Sequence, residues 1–392
     1  MRNILIIITI TLLLILSGCS KKPENEASIE TIDGIQYVHN TGTPLHPNKA
    51  VTLEEDLSIG GQEYDMLFRP QKFTVDQKER IYIADYLDQS IKVFDPNGKY
   101  IKSIGKKGEG PGEFILIGDL TILPDGRLFV MDRNTRRISL FDTKGNYIES
   151  YHWTERQGGL IYATDSSCLF TVYKFGEENP MEGRRLFVKE YDFQGHEIHS
   201  FGEFKIEKSK THTIKTGKSI TSMAVYPPHS PRSIFAGDPL RQHLFHCVND
   251  KYMLEIYNQE GKVTRRFDRP YTPLPFTKKD AKEFYDYYDS RPLEGIKKMI
   301  RGLSMPSVKT ITSRMFVDDS GNLWVETHEE KEEENQIFTA YDIFNQKGFY
   351  EAKVWLNIKP EIIVKGKMYL MYNDEEIGYK LLKRYQIIWN DL

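Results

Sequence analysis

A repeat limits what this chain can fold into more than any other feature. Two segments align without a gap. The first runs Arg80-Ile-Tyr-Ile-Ala-Asp85, Ser90-Ile-Lys-Val-Phe-Asp95 and Gly98-Lys-Tyr-Ile-Lys-Ser-Ile-Gly105. The second runs Arg127-Leu-Phe-Val-Met-Asp132, Arg137-Ile-Ser-Leu-Phe-Asp142 and Gly145-Asn-Tyr-Ile-Glu-Ser150. Asp85 recurs as Asp132, Phe94 as Phe141 and Gly98 as Gly145, each 47 residues on. The first unit reads as four short strands, Lys72 to Val75, Arg80 to Ala84, Ser90 to Phe94 and Tyr100 to Ile104. Turn formers separate them, as in Asp76-Gln-Lys-Glu79 and Pro96-Asn97-Gly98.

The unit continues in degraded form. Tyr191-Asp-Phe-Gln-Gly195 ends a third, and Ile256-Tyr-Asn-Gln-Glu-Gly261 ends a fourth. Phe316 to Val325 opens a fifth, which closes at Phe344 to Gly348. Glu361 to Val364, Lys367 to Met371 and Tyr379 to Ile388 supply only three strands of a sixth. The missing strand has a candidate in Ala50 to Gly60, whose end, Ser58-Ile59-Gly60, repeats Ser103-Ile104-Gly105. A period of 40 to 50 residues with four strands marks a propeller blade. Sharing the last blade between both ends of the chain would remove open sheet edges. The expected fold is therefore all-β, a six-bladed β-propeller with an N-terminal closing strand and a helical insertion near 277–303. Tyr and Phe are abundant, at 23 and 21, which suits pleated, half-buried strands. Dividing 392 residues by a typical domain length suggests two or three domains, but propellers exceed that norm.

The piece Ser103-Ile-Gly-Lys-Lys-Gly-Glu-Gly-Pro-Gly-Glu-Phe114, coming after strands that end in Asp85 and Asp95, resembles NHL-type propeller repeats. Together with the lead-in Gly34-Ile-Gln-Tyr-Val-His-Asn40 and the N-terminal Leu16-Ser17-Gly18-Cys19, the chain resembles the six-bladed propeller lipoproteins of Bacteroidota. The resemblance is strong over 71–150 and loose beyond. It implies architecture and address rather than chemistry.

The N-terminus opens with a short positive stretch, Met1-Arg2-Asn3, and an apolar run from Ile4 to Leu16. That run falls short of the roughly 20 residues a spanning helix needs. It reads as a secretory signal peptide over 1–18. Leu16-Ser17-Gly18-Cys19 looks like a lipobox, which implies cleavage before Cys19 and lipidation of that residue. Several acyl chains give stable anchoring where one is marginal. The polar stretch 19–29 is expected to be a tether, and 30–392 the propeller. The expected location is the cell envelope, lipid-anchored at the outer membrane on its periplasmic or surface side. Cys168 and Cys247 sit in strand-like stretches and are expected to be buried free thiols.

Function is less legible. A net charge of −3 supplies no basic field for nucleic acid. No Gly-x-Ser-x-Gly, phosphate loop or His-Glu-x-x-His appears. The ten His share no blade position, so neither a metal nor any other cofactor is expected. Loops after second and fourth strands are long and should share one face, where a rigid scaffold places binding. They include Gly60 to Pro70, Gly105 to Gly118, Phe175 to Arg184, Gly202 to Pro231 and Arg269 to Ser307. Thr277 should cap a helix with Asp280 three residues on, and Leu293 to Leu303 a second. Candidate ligand-binding residues on that face are Arg69, Asp85, Tyr86, Asp132, Arg133, Arg136, Tyr226 and Tyr287. The repeated acids read more readily as loop caps, and Arg133, Arg136 and Arg137 could equally grip an anion or make rim ion pairs. The acidic run Glu329 to Glu334 reads as a solvated loop tip. The leading expectation is a binding module for a peptide, a glycan or an envelope protein. The alternative is a metal-assisted lyase or lactonase-type enzyme with a dispersed site.

Overall fold

A computed structural model describes residues 27–60, 69–153, 157–175, 184–207, 209–216, 219–290, 294–374 and 378–391. The signal peptide and Cys19 lie outside the described residues. A hairpin comes first, β1 (Ser28–Ile32) and β2 (Ile35–His39), followed by a long strand, β3 (Lys49–Ile59). Blade one is β4 (Pro70–Val75), β5 (Ile81–Asp85), β6 (Ser90–Phe94) and β7 (Tyr100–Ile104). Blade two is β8 (Ile117–Ile122), β9 (Leu128–Asp132), β10 (Arg137–Phe141) and β11 (Tyr147–His152). Blade three is β12 (Gln157–Ala163), β13 (Ser167–Lys174), β14 (Arg185–Asp192) and β15 (Glu197–Phe204). A separate hairpin follows, β16 (Lys210–Thr216) and β17 (Ser219–Val225). Blade four is β18 (Ser233–Asp238), β19 (His243–Val248), β20 (Met253–Tyr257) and β21 (Val263–Asp268). Two helices come next, α1 (Lys278–Asp289) and α2 (Glu294–Arg301). Blade five is β22 (Thr312–Val317), β23 (Leu323–Glu333), β24 (Gln336–Phe344) and β25 (Tyr350–Leu356). Blade six is β26 (Ile362–Val364), β27 (Lys367–Asp374) and β28 (Tyr379–Asp391), completed by β3.

The protein is thus an all-β, six-bladed propeller of four-stranded blades. Its closure follows the expected design, with β3 pairing antiparallel to β28 from Ile59 opposite Leu382 to Lys49 opposite Asp391. Six apolar clusters fill the six seams between adjacent blades. At the closing seam, for example, Ile59, Tyr369 and Leu382 of blade six meet Phe73, Ile83 and Phe94 of blade one.

The repeated Asp-x-x-Gly has a local cause. The Asp95 carboxylate accepts from the N–H of Asn97 and Lys99, and Asp142 does the same for Lys144 and Asn146. Each closes the turn between the third and fourth strands of its blade. Gly98 and Gly145 follow at φ +80° and +78°, a region a side chain disfavours. A Cβ on Gly145 would also sit 2.6 Å from Ile104 Cδ1, so this turn seats on the blade before it.

Three elements differ from the sequence reading. The hairpin β1–β2 joins the outer edge of blade four, with β2 parallel to β21, and so makes that sheet six-stranded. Strand β1 therefore opens at Ser28, inside the stretch read as tether. The segment from Gly202 to Pro231, read as a loop, contains the hairpin β16–β17. Glu329 to Glu333 belongs to β23 rather than to a loop tip, because β23 and β24 continue as a paired hairpin to Glu333 opposite Gln336. The turn itself is Glu334-Asn335, with both residues at positive φ, as a two-residue hairpin loop requires.

The helical insertion matches expectation. Thr277 caps α1 in a capping box with Asp280. Ile300 and Leu303 pack on Val225 at the end of β17, with Phe284 and Tyr288 against them, so the helices brace the β16–β17 hairpin. Among the described residues no helix is long and apolar enough to cross a membrane. Cys168 and Cys247 are both free and buried.

Between blades four and five, Arg269 is 6% exposed in its side chain and gives two hydrogen bonds to Asp342, itself fully buried. Tyr252 and Tyr350 also donate to Asp342, at 2.5 and 2.6 Å. Their rings and that of Tyr271 stand 4.7 to 5.3 Å from the guanidinium. Burial alone would lower the Arg269 pKa, and the Asp342 carboxylate more than reverses this. Removing one partner of a buried pair costs about 3–5 kcal/mol, whereas replacing both with apolar residues can be neutral. Asp342→Ala should therefore lower the urea midpoint sharply, while Asp342→Leu combined with Arg269→Met, Tyr252→Phe and Tyr350→Phe, which removes every donor to the lost carboxylate, recovers most of it. A single variant as stable as wild type would show that this cluster does not hold the seam.

Candidate functional site

The turns between first and second strands, and between third and fourth, are short and lie on one face. The long connections open on the other. There, two inter-blade connections and residues of blades four and five converge on a cavity of about 260 Å³. Glu207, Tyr226, Pro227, His229, Ser230 and Arg232 come from the connection between blades three and four. Asn249 follows β19, Thr310 precedes β22, Ser313 lies on β22 and His328 on β23. The volume is near the lower end of the roughly 300–1,000 Å³ of small-molecule sites.

The local chemistry is set by Thr310. Its backbone N–H donates to His229 Nδ1 at 3.2 Å, and its hydroxyl lies 3.0 Å from the same nitrogen. A nitrogen that accepts from an N–H carries no proton, so neutral His229 must bear its proton on Nε2. Among the described residues no hydrogen-bond partner meets that Nε2. The Thr310 hydroxyl also reaches His328 Nε2 at 3.3 Å. The two imidazoles stand edge to face at 4.6 Å between ring centres. Burial and the nearby Lys309 lower the His229 pKa. Burial, His229, Lys309 and Lys359 push His328 down to about 4. Both rings are neutral at pH 7.

Neighbouring groups fix the walls. Asn249 accepts from the Arg232 N–H and donates to the Thr312 carbonyl, which ties two junctions together. The Arg232 guanidinium is 3.8 Å from Glu207. The Arg184 guanidinium lies over the Tyr226 ring at 5.4 Å. The helical insertion is pinned at its base by the bridge between Pro275 and Val308 and by the 2.7 Å ion pair of Lys309 with Asp280. Phe276 at that base lies 5.7 Å from the His229 ring.

Of the residues predicted from sequence, Tyr226 alone lines this cavity. Asp85 and Asp132 are fully buried at the ends of β5 and β9. Asp132 accepts from the N–H groups of Ile115, Leu116, Asn134 and Thr135, and Asp85 from those of Arg69 and Leu87. They are the caps of the long connections. Arg69 and Tyr86 are exposed beside Asp85, joined by a bond from the Tyr86 N–H to the Arg69 carbonyl. Arg133 is exposed and lies over Gly118, and Arg136 is exposed at φ +52°. The buried Arg137 donates to the carbonyls of Glu109, Gly110 and Glu113, and so clips the connection between blades one and two. Tyr287 stands 55% exposed on α1.

His229, Arg232, Thr310 and His328 went unseen in the sequence. The one cue was that long connections carry His229 and lead into Arg232 and Thr310, whereas His328 sits within β23. Among the described residues no group of three or more His, Cys, Asp or Glu is placed to hold a metal ion.

A family model described as "6-bladed beta-propeller" (DUF5128) matches residues 69–150. No curated protein sequence matches the chain. Solved structures that match the chain include an exported protein of Bacteroides fragilis, at 11% identity and TM-score 0.49, covering 90% of this chain and 99% of that one. A Bacteroides vulgatus protein of another uncharacterised-domain family matches at 10% and 0.48, covering 88% and 99%. Virginiamycin B lyase of Staphylococcus aureus matches at 14% and 0.41, covering 86% and 100%. Likenesses this distant say nothing of the chemistry of the cavity.

The pH dependence of stability follows from His328. Its folded pKa, about 4, lies below the ordinary 6.5. The unfolded chain therefore binds the proton first. The stabilising contribution is complete above pH 6.5 and is lost as pH falls towards 4. His328→Gln should flatten the loss of urea midpoint between pH 7 and 4.5 relative to wild type. Parallel curves for the two proteins would contradict the neutral, half-buried imidazole.

Proposed function

We propose that the protein is an exported, lipid-anchored binding module that takes its ligand on the long-loop face, in the cavity of His229 and His328. One observation carries the reading. A rigid ring brings polar side chains from two inter-blade connections and from blades four and five to one small cavity, and there His229, with its proton on Nε2, shares the lining with the Arg232 guanidinium and the Glu207 carboxylate 3.8 Å from it. Such a cavity suits a small polar group, either a sugar unit or one side chain of a peptide. Support for the address comes from Leu16-Ser17-Gly18-Cys19 behind a short apolar run.

A thermal-shift screen against oligosaccharides, short peptides and divalent metals with an EDTA control tests the site. Binding to the folded state raises the melting point by mass action. A sugar or peptide should raise it, and Arg232→Ala and His229→Ala should each abolish that rise. A rise that survives both substitutions places the ligand elsewhere. A metal-dependent rise abolished by EDTA would overturn the binding-module reading in favour of a metal-assisted enzyme. The address is checked separately, since Cys19→Ala should move the chain from the membrane fraction to the soluble one.

A further inference from the structure

A row of hydrogen bonds crosses one face of blade four and ends at the central channel. The Ser233 hydroxyl on β18 lies 3.0 Å from His246 Nε2 on β19. His246 Nδ1 lies 3.0 Å from the Glu255 carboxylate on β20. Glu255 accepts in turn from Arg266 Nε on β21 at 2.9 Å and from the Tyr257 hydroxyl at 3.1 Å. A carboxylate only accepts, so Nδ1 carries the proton, and the neutral ring turns its Nε2 lone pair to the Ser233 hydroxyl. Burial would raise the Glu255 pKa, but the bonds from His246 and Arg266 reverse this and hold it at about 2. The rings of Phe204, Phe235 and Tyr257 surround the imidazole at 4.8 to 6.1 Å between centres and fix its plane.

A row that only braced the sheet would need no open end, and this one has one. The first strands of blades three, four and five, β12, β18 and β22, border the channel and there line a cavity of about 420 Å³. Ser233 is on its wall, 8% exposed, among apolar neighbours that include Leu160, Ile161, Ile234 and Met315. The volume lies within the range of small-molecule sites. Strand β18 also offers a backbone donor. The Asn249 N–H bonds to the Arg232 carbonyl, while the Ser233 N–H turns away from β19 to the Lys205 carbonyl. The alternation of an antiparallel ladder then directs the Phe235 N–H, two residues on, away from β19 and into the channel. A donor so placed meets the negative charge that develops on a carbonyl oxygen bound beside Ser233.

We propose that Ser233, His246 and Glu255 act as nucleophile, general base and orienting carboxylate, and that the channel hydrolyses esters of short apolar carboxylic acids. Ser233 Oγ attacks the ester carbonyl carbon and gives its proton to His246 Nε2. The bond to the alcohol oxygen breaks, and the alcohol leaves with that proton. Water then attacks the acyl carbon and passes a proton to Nε2. The bond from the acyl carbon to Oγ breaks, Ser233 takes the proton back, and the acid is released. Glu255 is a positioning residue: it holds the ring in place and offsets its positive charge between these transfers. The apolar wall selects the acyl group. Arg232, the residue before Ser233, lines the cavity of His229 and His328, so the two sites adjoin but use different groups. The activity goes beyond the binding-module reading and does not rest on it.

The test uses the full chain, purified in detergent, and a fluorophosphonate, which reacts with activated serine hydroxyls. Wild type should gain a single adduct by intact mass, and peptide mapping should place it on Ser233. Ser233→Ala should gain none. His246→Gln, which keeps a polar side chain but no base, should slow labelling at least about 100-fold. Circular dichroism checks that each variant is folded. Glu255→Gln, corrected for its folded fraction, should lower kcat on p-nitrophenyl butyrate with KM unchanged. A wild type that takes no adduct, or takes it away from Ser233, overturns the proposal whether or not the variants fold. Equal labelling of folded Ser233→Ala or His246→Gln overturns it as well. An unchanged kcat in Glu255→Gln overturns the role given to that carboxylate. None of these outcomes touches the thermal-shift result at the neighbouring cavity.

Discussion

The pairing of β3 with β28 is the constraint on which the rest depends. Each blade buries apolar side chains against the next, so a ring left open would expose two such faces and a bare strand edge. Here the edge is covered by residues more than three hundred positions away. Arg384 of β28 holds Asp56 of β3 through Nε and Nη2, at 2.8 and 3.1 Å, across a separation of 328 residues. The sheet ladder supplies the hydrogen bonds, and the apolar seam clusters behind it supply the larger burial term. The ion pair fixes register more than it adds stability, being partly exposed.

Closure also dictates the course of the N-terminal segment. The chain must travel from the edge of blade four, past blade five, to blade six. Asn40 makes the crossing possible. Its side chain donates to the carbonyls of Asp268 on blade four and Gly348 on blade five, and accepts from the Tyr350 N–H. One buried amide thus meets three backbone groups on two blades, and two of these bonds, to the Gly348 carbonyl and from the Tyr350 N–H, are themselves buried. The same seam holds Arg269 and Asp342. Blades four and five are therefore joined by polar as well as apolar contacts, and the cavity and the helical insertion stand above that join.

How much of this could be read beforehand depends on whether a feature is periodic. The strands β6 and β7 fall where the sequence places them, because Phe94-Asp95-Pro96-Asn97-Gly98 encodes its own turn. Closure was legible because Ser58-Ile59-Gly60 copies the end of another blade's fourth strand. The annexed hairpin β1–β2 was not, since its parallel pairing to β21 is decided by a tertiary edge more than two hundred residues away. Glu329 to Glu333 misled for a related reason. Its acidic composition suits solvent, but the ladder to β24 and the 2.6 Å bond from Lys353 to Glu329 hold it as strand. The His pair was hidden most completely, because neither ring has a local partner and Thr310 joins them only in the folded ring.

The same distinction explains why the repeated residues were poor guides to a site. A residue that recurs once per blade is taken up by something each blade needs. Asp132 commits its carboxylate to four backbone N–H groups, and its counterpart Asp85 accepts from those of Arg69 and Leu87. Fully engaged groups offer a ligand little, since binding would first have to break what they already hold. Groups released from that duty come from the irregular connections, where chain was added that the blades do not require. His229 illustrates the point: one ring nitrogen is fixed by Thr310, which orients the other and leaves its proton directed away from that bond. Fixed orientation with a donor that meets no partner among the described residues is what a binding group needs. In a propeller, then, departure from the repeat is a better pointer to function than the repeat itself.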